Sequence, residues 1–221
     1  MPQGASLPID GSHARTNGGR GAAGTLFARP APMSVLVLHA HPNVPASRVN
    51  AALAATARQV AGVTVHDLYE AYPHGFIDRA REQALVEAHH AVVLQHPMYW
   101  YGVPPLLKQW MDTTLTEGWA YGRHATATSG KTWTHALTTA GSAHSYSGRA
   151  DPADDPTGRA NYFSLDDYMK PYLQSARLCG MRWHPPFAVH SAEALDAAAL
   201  EAACAGYRDF LLDLLARAQG A

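Results

Sequence analysis

Residues 95–112 read QHPMYWYGVPPLLKQWMD. This stretch decides the fold, because it carries the chain out of a buried strand, through an aromatic loop and into a helix. Ala91, Val92, Val93 and Leu94 before it form a short, mostly β-branched apolar run, the pattern of a strand covered on both faces in a parallel sheet. Pro97 is expected to end that strand. Met98, Tyr99, Trp100 and Tyr101 follow with neither a helical nor a strand period. Pro104 and Pro105 then suit the first turn of a helix that continues through Leu106, Leu107, Trp110 and Met111. Four large side chains therefore stand at the carboxyl end of a strand, the edge of an open α/β sheet where ligands bind. Such a loop either seals the core or holds a flat ring, and the double proline behind it favours the ring.

The alternation of short apolar strands and longer helices extends in both directions. Strands are expected at Val35 to Ala40, Val63 to Asp67, Ala91 to Gln95, Thr132 to Thr138 and about Phe187 to His190. Helices are expected near Ser47 to Val60, Asp78 to His89, Pro104 to Leu115, Leu165 to Leu178 and Ala194 to Arg217. The first helix places Val49, Leu53, Ala57 and Val60 on one stripe, and the last does the same with Leu200, Ala203, Tyr207, Phe210, Leu211 and Leu214. Five β-α units in one domain predict an α/β fold, a doubly wound five-stranded parallel sheet. With right-handed crossovers and strand order 2-1-3-4-5, the ends of the first, third and fourth strands surround one crevice.

The 221 residues suit one well-buried domain. Hydrophobic residues at 47% are those of a soluble globular protein, and no apolar run approaches the length of a bilayer span. A formal charge of −1 with scattered arginines gives no drive toward nucleic acid. Cys179 and Cys204 have neither metal-site nor C-x-x-C spacing, which fits two buried thiols in a reducing cytoplasm. Residues 1–32 hold six glycines and four prolines and almost no periodic hydrophobicity, so this N-terminal extension is expected to be disordered, with residues 33–221 forming the domain. Met33 directly precedes the first strand and is the expected start of the natural product.

Three loops carry the candidate site. The first strand runs into His41, and Ser47, Val49 and Asn50 open the following helix. Free amides at that helix start, the helix dipole, the Ser47 hydroxyl and Asn50 suit one phosphate, while the plainer reading of Ser47 is an N-cap. The fourth strand ends in Thr138-Thr139-Ala140-Gly141-Ser142, small residues that let amides approach a ligand, with His144 and Tyr146 close behind. A tyrosine hydroxyl there can stabilise charge that builds up on a reduced ring. The loop Gly118-Trp119-Ala120-Tyr121-Gly122 offers Trp119 and Tyr121 as a lid, a substrate wall or a dimer contact. Neither His39 with His41 nor His89 with His90 has a third ligand at recognisable spacing, so no metal is expected. Asp154 and Asp155 read as turn residues. There is no G-x-x-x-x-G-K-[ST], no G-x-G-x-x-G after a strand and no G-x-S-x-G elbow.

Taken together, AHP at Ala40 to Pro42, QHPMYWYGVPPLLKQWMD, GWAYG, TTAGS and CGMRWHPPFAVH at Cys179 to His190 resemble the flavodoxin-like NAD(P)H:quinone oxidoreductases. Within them the chain looks most like the ancillary flavoproteins of bacterial glutathione-regulated potassium efflux systems. The resemblance covers Ser34 to about Leu215. It implies that His41, Ser47, Val49 and Asn50 hold a flavin phosphate and ribityl chain, and that Pro97, Met98, Tyr99, Trp100 and Tyr101 cradle the isoalloxazine. Thr138, Thr139, Gly141 and Ser142 would bond the ring's polar edge, with Tyr146 beside it. The implied activity is two-electron, ping-pong hydride transfer from NAD(P)H through FMN or FAD to a quinone-like acceptor, by a cytoplasmic homodimer. The alternative is a regulatory flavoprotein subunit of a potassium efflux antiporter, peripheral at the inner face of the membrane. A flavodoxin-type electron carrier is disfavoured by the near-neutral charge. The chain departs from the family in having Ala140-Gly141 where two glycines are common. It also has no histidine at the spacing from Tyr146 found in animal relatives, a place His144 would fill only if the loop bends differently.

Overall fold

Buried strands at the centre and amphipathic helices outside them position everything that follows. The structure, a computed structural model, describes residues 33–43, 47–149 and 161–217; the extension at 1–32 and the Asp154-Asp155 turn lie outside the described residues. The elements run β1 (Val35–His39), α1 (Arg48–Arg58), β2 (Val63–Asp67), α2 (Leu68–Ala71), α3 (Arg79–Glu87), β3 (Ala91–Pro97) and α4 (Pro105–Thr114). After these come β4 (Thr132–Thr138), α5 (Leu165–Leu178), β5 (Arg182–Trp183), β6 (Phe187–Val189) and α6 (Ala197–Arg217).

The pairings between these strands are parallel, in the order β2-β1-β3-β4-β5, with β6 also on β4. This is the expected doubly wound sheet. Side chains alternate across it, as the two-residue strand period requires. Leu36, Leu38, Val92 and Leu94 face Leu107, Trp110 and Met169 on one side. Val35, Val37 and Val93 face Leu53, Ala57, Tyr207 and Leu211 on the other. Each aliphatic side chain so buried contributes about 1.5–3 kcal/mol.

Three details differ from the sequence expectation. The fifth strand begins earlier and comes in two pieces, β5 opposite Thr132 and Trp133 and β6 opposite Ala136 to Thr138. Pro185 and Pro186 between them lack the N–H that would continue the ladder, an interruption tolerated at a sheet edge. Strand β3 runs two residues past the expected Gln95 before it ends at Pro97, which pairs with Thr138; the Met98 N–H beyond it donates to the Thr138 carbonyl at 2.8 Å. Helix α2, unexpected from its four residues, forms because the Asp67 carboxylate accepts from the N–H groups of Tyr69 and Glu70.

Candidate functional site

A cleft of about 450 Å³ opens at the carboxyl ends of β1, β3 and β4, within the range of small-molecule sites. From the first loop it is lined by His41, Asn43, Ser47, Arg48, Val49 and Asn50. Ser47 does stand at the N-cap of α1, but its side chain makes no capping bond. Among the described residues its buried Oγ has no partner, and neither has the buried Asn50 Oδ1. Asn50 is fixed by its other atoms: Nδ2 donates to Thr138 Oγ1 at 2.8 Å, and its main-chain oxygen accepts from Gln95 Nε2 at 2.8 Å. An unpaired buried polar atom costs about 1–3 kcal/mol, so two in one cleft at a helix N-terminus call for a polar ligand. His41 Nδ1 accepts the Asn43 N–H at 3.1 Å, which puts the neutral ring's proton on Nε2. Burial, and then the neighbouring His39, hold the His41 pKa below its ordinary value.

Pro97, Met98 and Tyr99 supply the cleft wall from the aromatic loop. Tyr99 and Gly102 exchange both backbone hydrogen bonds at 3.0 Å, closing a two-residue turn with Trp100 at φ 48° and Tyr101 at φ 64°. Left-handed turns of this kind usually carry Asn or Gly, and each non-glycine residue held there costs on the order of 1–3 kcal/mol. The turn presents Trp100 at 94% exposure. Tyr101 stacks on Tyr168 with ring centroids 4.7 Å apart. Neither Trp100 nor Tyr101 is among the residues that line the cleft.

Thr138, Thr139 and Ala140 close the third side. Gly141 and Ser142 follow at the rim, and a Cβ on Gly141 would stand 3.1 Å from Cε2 of Tyr146. A side chain at Gly141 would therefore press on the Tyr146 ring. Tyr146 lies on a short 3-10 turn, His144–Tyr146, with its pKa raised by burial and by the nearby Tyr101 and Tyr168. His144 is exposed on the same turn. The imidazole that meets Tyr146 belongs to His190, beyond β6, with ring centroids 5.7 Å apart. Thr139 Oγ1 donates its one proton to the Gly141 carbonyl at 2.8 Å, so it accepts from His190 Nδ1–H at 2.9 Å and leaves His190 Nε2 as a free lone pair. Burial lowers the His190 pKa.

The segment after β6 is knitted to this clamp by Ser191 N–H on the Gly141 carbonyl and Ala192 N–H on the Thr139 carbonyl, both at 3.0 Å, and it adds Ala192 and Glu193 to the lining. Sequence reasoning missed these residues, His190 included, because no motif marks them. The available signal was topological: a fifth strand beside β4 must end at the same edge. Trp119 and Tyr121 lie elsewhere. Trp119 Nε1 donates to Glu87 Oε1 at 2.6 Å, at the end of α3, which places the loop at the amino-terminal edge of the sheet, opposite the cleft of its own chain. Among the described residues, no three of His, Cys, Asp and Glu come together as a metal site, and no helix is long and apolar enough to cross a membrane.

The family model described as flavodoxin-like fold matches residues 33–211. The glutathione-regulated potassium-efflux system ancillary protein KefG of Pectobacterium carotovorum is 38% identical over 180 residues, 81% of this chain and 93% of that protein. Among solved structures, general stress protein 14 of Treponema denticola in complex with FMN is 37% identical with a TM-score of 0.70, covering 84% of this chain and 99% of that one. The NADPH-quinone reductase of P. pentosaceus is 28% identical with a TM-score of 0.70, covering 80% and 97%.

Proposed function

The chain belongs to the family of flavodoxin-like fold, and within it we propose that this protein is a flavin-dependent NAD(P)H:quinone oxidoreductase. The observation that carries the reading is the pair of buried, unpartnered atoms, Ser47 Oγ and Asn50 Oδ1, in a cleft that also takes Met98 and Tyr99 into its wall. These residues fit a ligand that joins a phosphorylated polyol to a flat ring. The FMN bound to the Treponema denticola relative supports FMN over FAD. When bound, the flavin would supply a route for a hydride from NAD(P)H to a quinone-like acceptor.

The roles of the protein groups follow from their positions. The start of α1, Ser47, Asn50 and the Nε2–H of His41 would hold the phosphate and ribityl chain, with Val49 against them. Met98 and Tyr99 would bear one face of the ring, and Pro97 closes the wall behind it. Thr138 and Thr139, with Gly141 and Ser142 at the rim, would meet the ring's polar edge. The Tyr146 hydroxyl would donate to the charge that grows there, with His190 Nε2 beside it to hold a proton. The exposed Trp100 and the displaced Trp119 and Tyr121 suit a homodimer in which a second copy completes the wall. Steady-state assay of the flavin-loaded protein with NADH or NADPH and menadione tests the reading: parallel double-reciprocal lines are expected, and no turnover with either nucleotide would refute it.

The identity with KefG along 93% of that protein favours one second reading. In it the same flavin domain is a regulatory subunit that docks on a potassium efflux antiporter at the inner face of the membrane, whereas the enzyme reading places it free in the cytoplasm. Co-purification with an antiporter from the native host distinguishes the two.

A further inference from the structure

The aromatic loop is held from beneath by side chains that do not line the cleft. The Trp133 indole can only donate, and its Nε1 stands 3.2 Å from His135 Nε2. His135 Nδ1 meets His96 Nε2 at 2.9 Å, and His96 Nδ1 meets the Pro97 carbonyl oxygen at 2.9 Å. A pure donor at one end and a pure acceptor at the other fix every proton between them. His135 accepts on Nε2, so its proton sits on Nδ1 and goes to His96 Nε2; the His96 proton then sits on Nδ1 and goes to Pro97. Both rings are fully buried. Burial pushes His96 down to about 4, and burial together with His96 holds His135 well below the ordinary range, so both are neutral.

His135 also packs on Tyr172, with ring centroids 4.6 Å apart, and the Tyr172 hydroxyl accepts the Val103 N–H at 3.1 Å. The loop from Pro97 to Val103 is therefore gripped at both ends, and both grips rest on His135. We propose that His96, His135 and Tyr172 are positioning residues that hold this loop in register, keeping Trp100 and Tyr101 in their left-handed turn and Met98 and Tyr99 in the cleft wall. The geometry stands by itself, while its consequence for ligand binding rests on the flavin reading above.

Two measurements test the proposal. In protein labelled with 15N-histidine, both imidazoles are expected as Nδ1–H tautomers that do not titrate between about pH 8 and 5.5, with or without FMN. Titration of either within that range, or an Nε2–H tautomer, would overturn the hydrogen-bond chain. FMN affinity is then compared by fluorescence quenching for wild type, His96→Asn, His96→Leu and Tyr172→Phe. Asn keeps an N–H near the place of Nδ1 and Leu does not. His96→Leu is expected to weaken binding about tenfold or more and to change the visible circular dichroism of the bound flavin. His96→Asn is expected to stay within about threefold of wild type, and Tyr172→Phe to lose roughly threefold to tenfold. Unchanged affinity in all variants, or equal loss in Asn and Leu, would refute positioning. If His96→Leu does not fold, Tyr172→Phe decides: weaker binding supports the proposal and unchanged binding overturns it. A wild type that binds no flavin would refute the flavin reading, and the tautomer measurement would still decide the chain.

Discussion

The side-chain amide of Asn50 donates to Thr138 Oγ1 at 2.8 Å, joining the first turn of α1 to the last residue of β4. One residue thus ties two of the three loops that form the cleft, and it leaves its Oδ1 free for a ligand. Asn50→Ala should lower stability by about 1–3 kcal/mol, because the Thr138 hydroxyl loses its partner in a buried setting. FMN affinity should fall by about tenfold or more. Urea unfolding and fluorescence titration read the two effects separately, and loss of stability with unchanged affinity would remove Asn50 from the site.

A second prediction concerns the core alone. Glu82 is fully buried, and its carboxylate accepts from the Tyr72 hydroxyl at 2.5 Å, Trp110 Nε1 at 2.7 Å and His66 Nε2 at 2.8 Å. Burial pushes its pKa up, but the bonds from His66, Tyr72 and Trp110 outweigh this and hold it below the ordinary carboxylate value. Three satisfied bonds to one charge join β2, the residue that caps α2, α3 and α4. Glu82→Ala strands three donors and should cost about 3–5 kcal/mol. Denaturant midpoints check it, and FMN binding by the still-folded fraction should be unaffected.

Acid should weaken the fold in a definite window. His96 is lowered from 6.5 to about 4 in the folded chain, and burial together with His96 also holds His135 well below its ordinary value. Below about pH 6.5 the unfolded chain binds protons that the folded chain refuses, so stability is complete above that pH and is lost as pH falls toward about 4. The slope should approach about 1.4 kcal/mol per pH unit for each histidine. Melting temperature against pH measures it. His96→Asn should flatten the curve, and an unchanged curve would show that acid acts elsewhere.

Much of this architecture was legible because its determinants are local. The β-branched runs at Val35, Val63 and Ala91 and the helical stripes around Leu53 and Leu211 mark buried faces whatever the rest of the chain does. Ser47, Asn50, Met98, Tyr99, Thr138 and Thr139 were legible as a candidate site because they sit at strand ends or on the segments just after them, and the strand order brings those ends to one cleft. What stayed hidden depends on contacts far apart in sequence. His190 meets Thr139 across 51 positions and His96 meets His135 across 39. Nothing near those histidines distinguishes them from the chain's others. The place of Trp119 and Tyr121 was obscured for a similar reason: α4 returns the chain to the opposite edge, and aromatic composition does not record that reversal.

Tyr146 tests the chemistry of the ring's edge. Tyr146→Phe keeps the ring and its contact with His190 and removes only the hydroxyl. Flavin content should be nearly unchanged, and the rate of flavin reduction by NADH or NADPH should fall about ten- to a hundredfold, the equivalent of one hydrogen bond to developing charge. Stopped-flow absorbance resolves the step. An unchanged reductive rate at full occupancy would assign Tyr146 to packing.

The most direct test of the central claim is the absorption spectrum of the purified protein after incubation with FMN and desalting, followed by chromatography of the cofactor released on denaturation. The cleft formed by Ser47, Asn50, Met98, Tyr99, Thr138 and Thr139 predicts retained near-ultraviolet and blue flavin bands, with about one FMN released per chain. A folded protein that emerges colourless and retains neither FMN nor FAD would contradict the account.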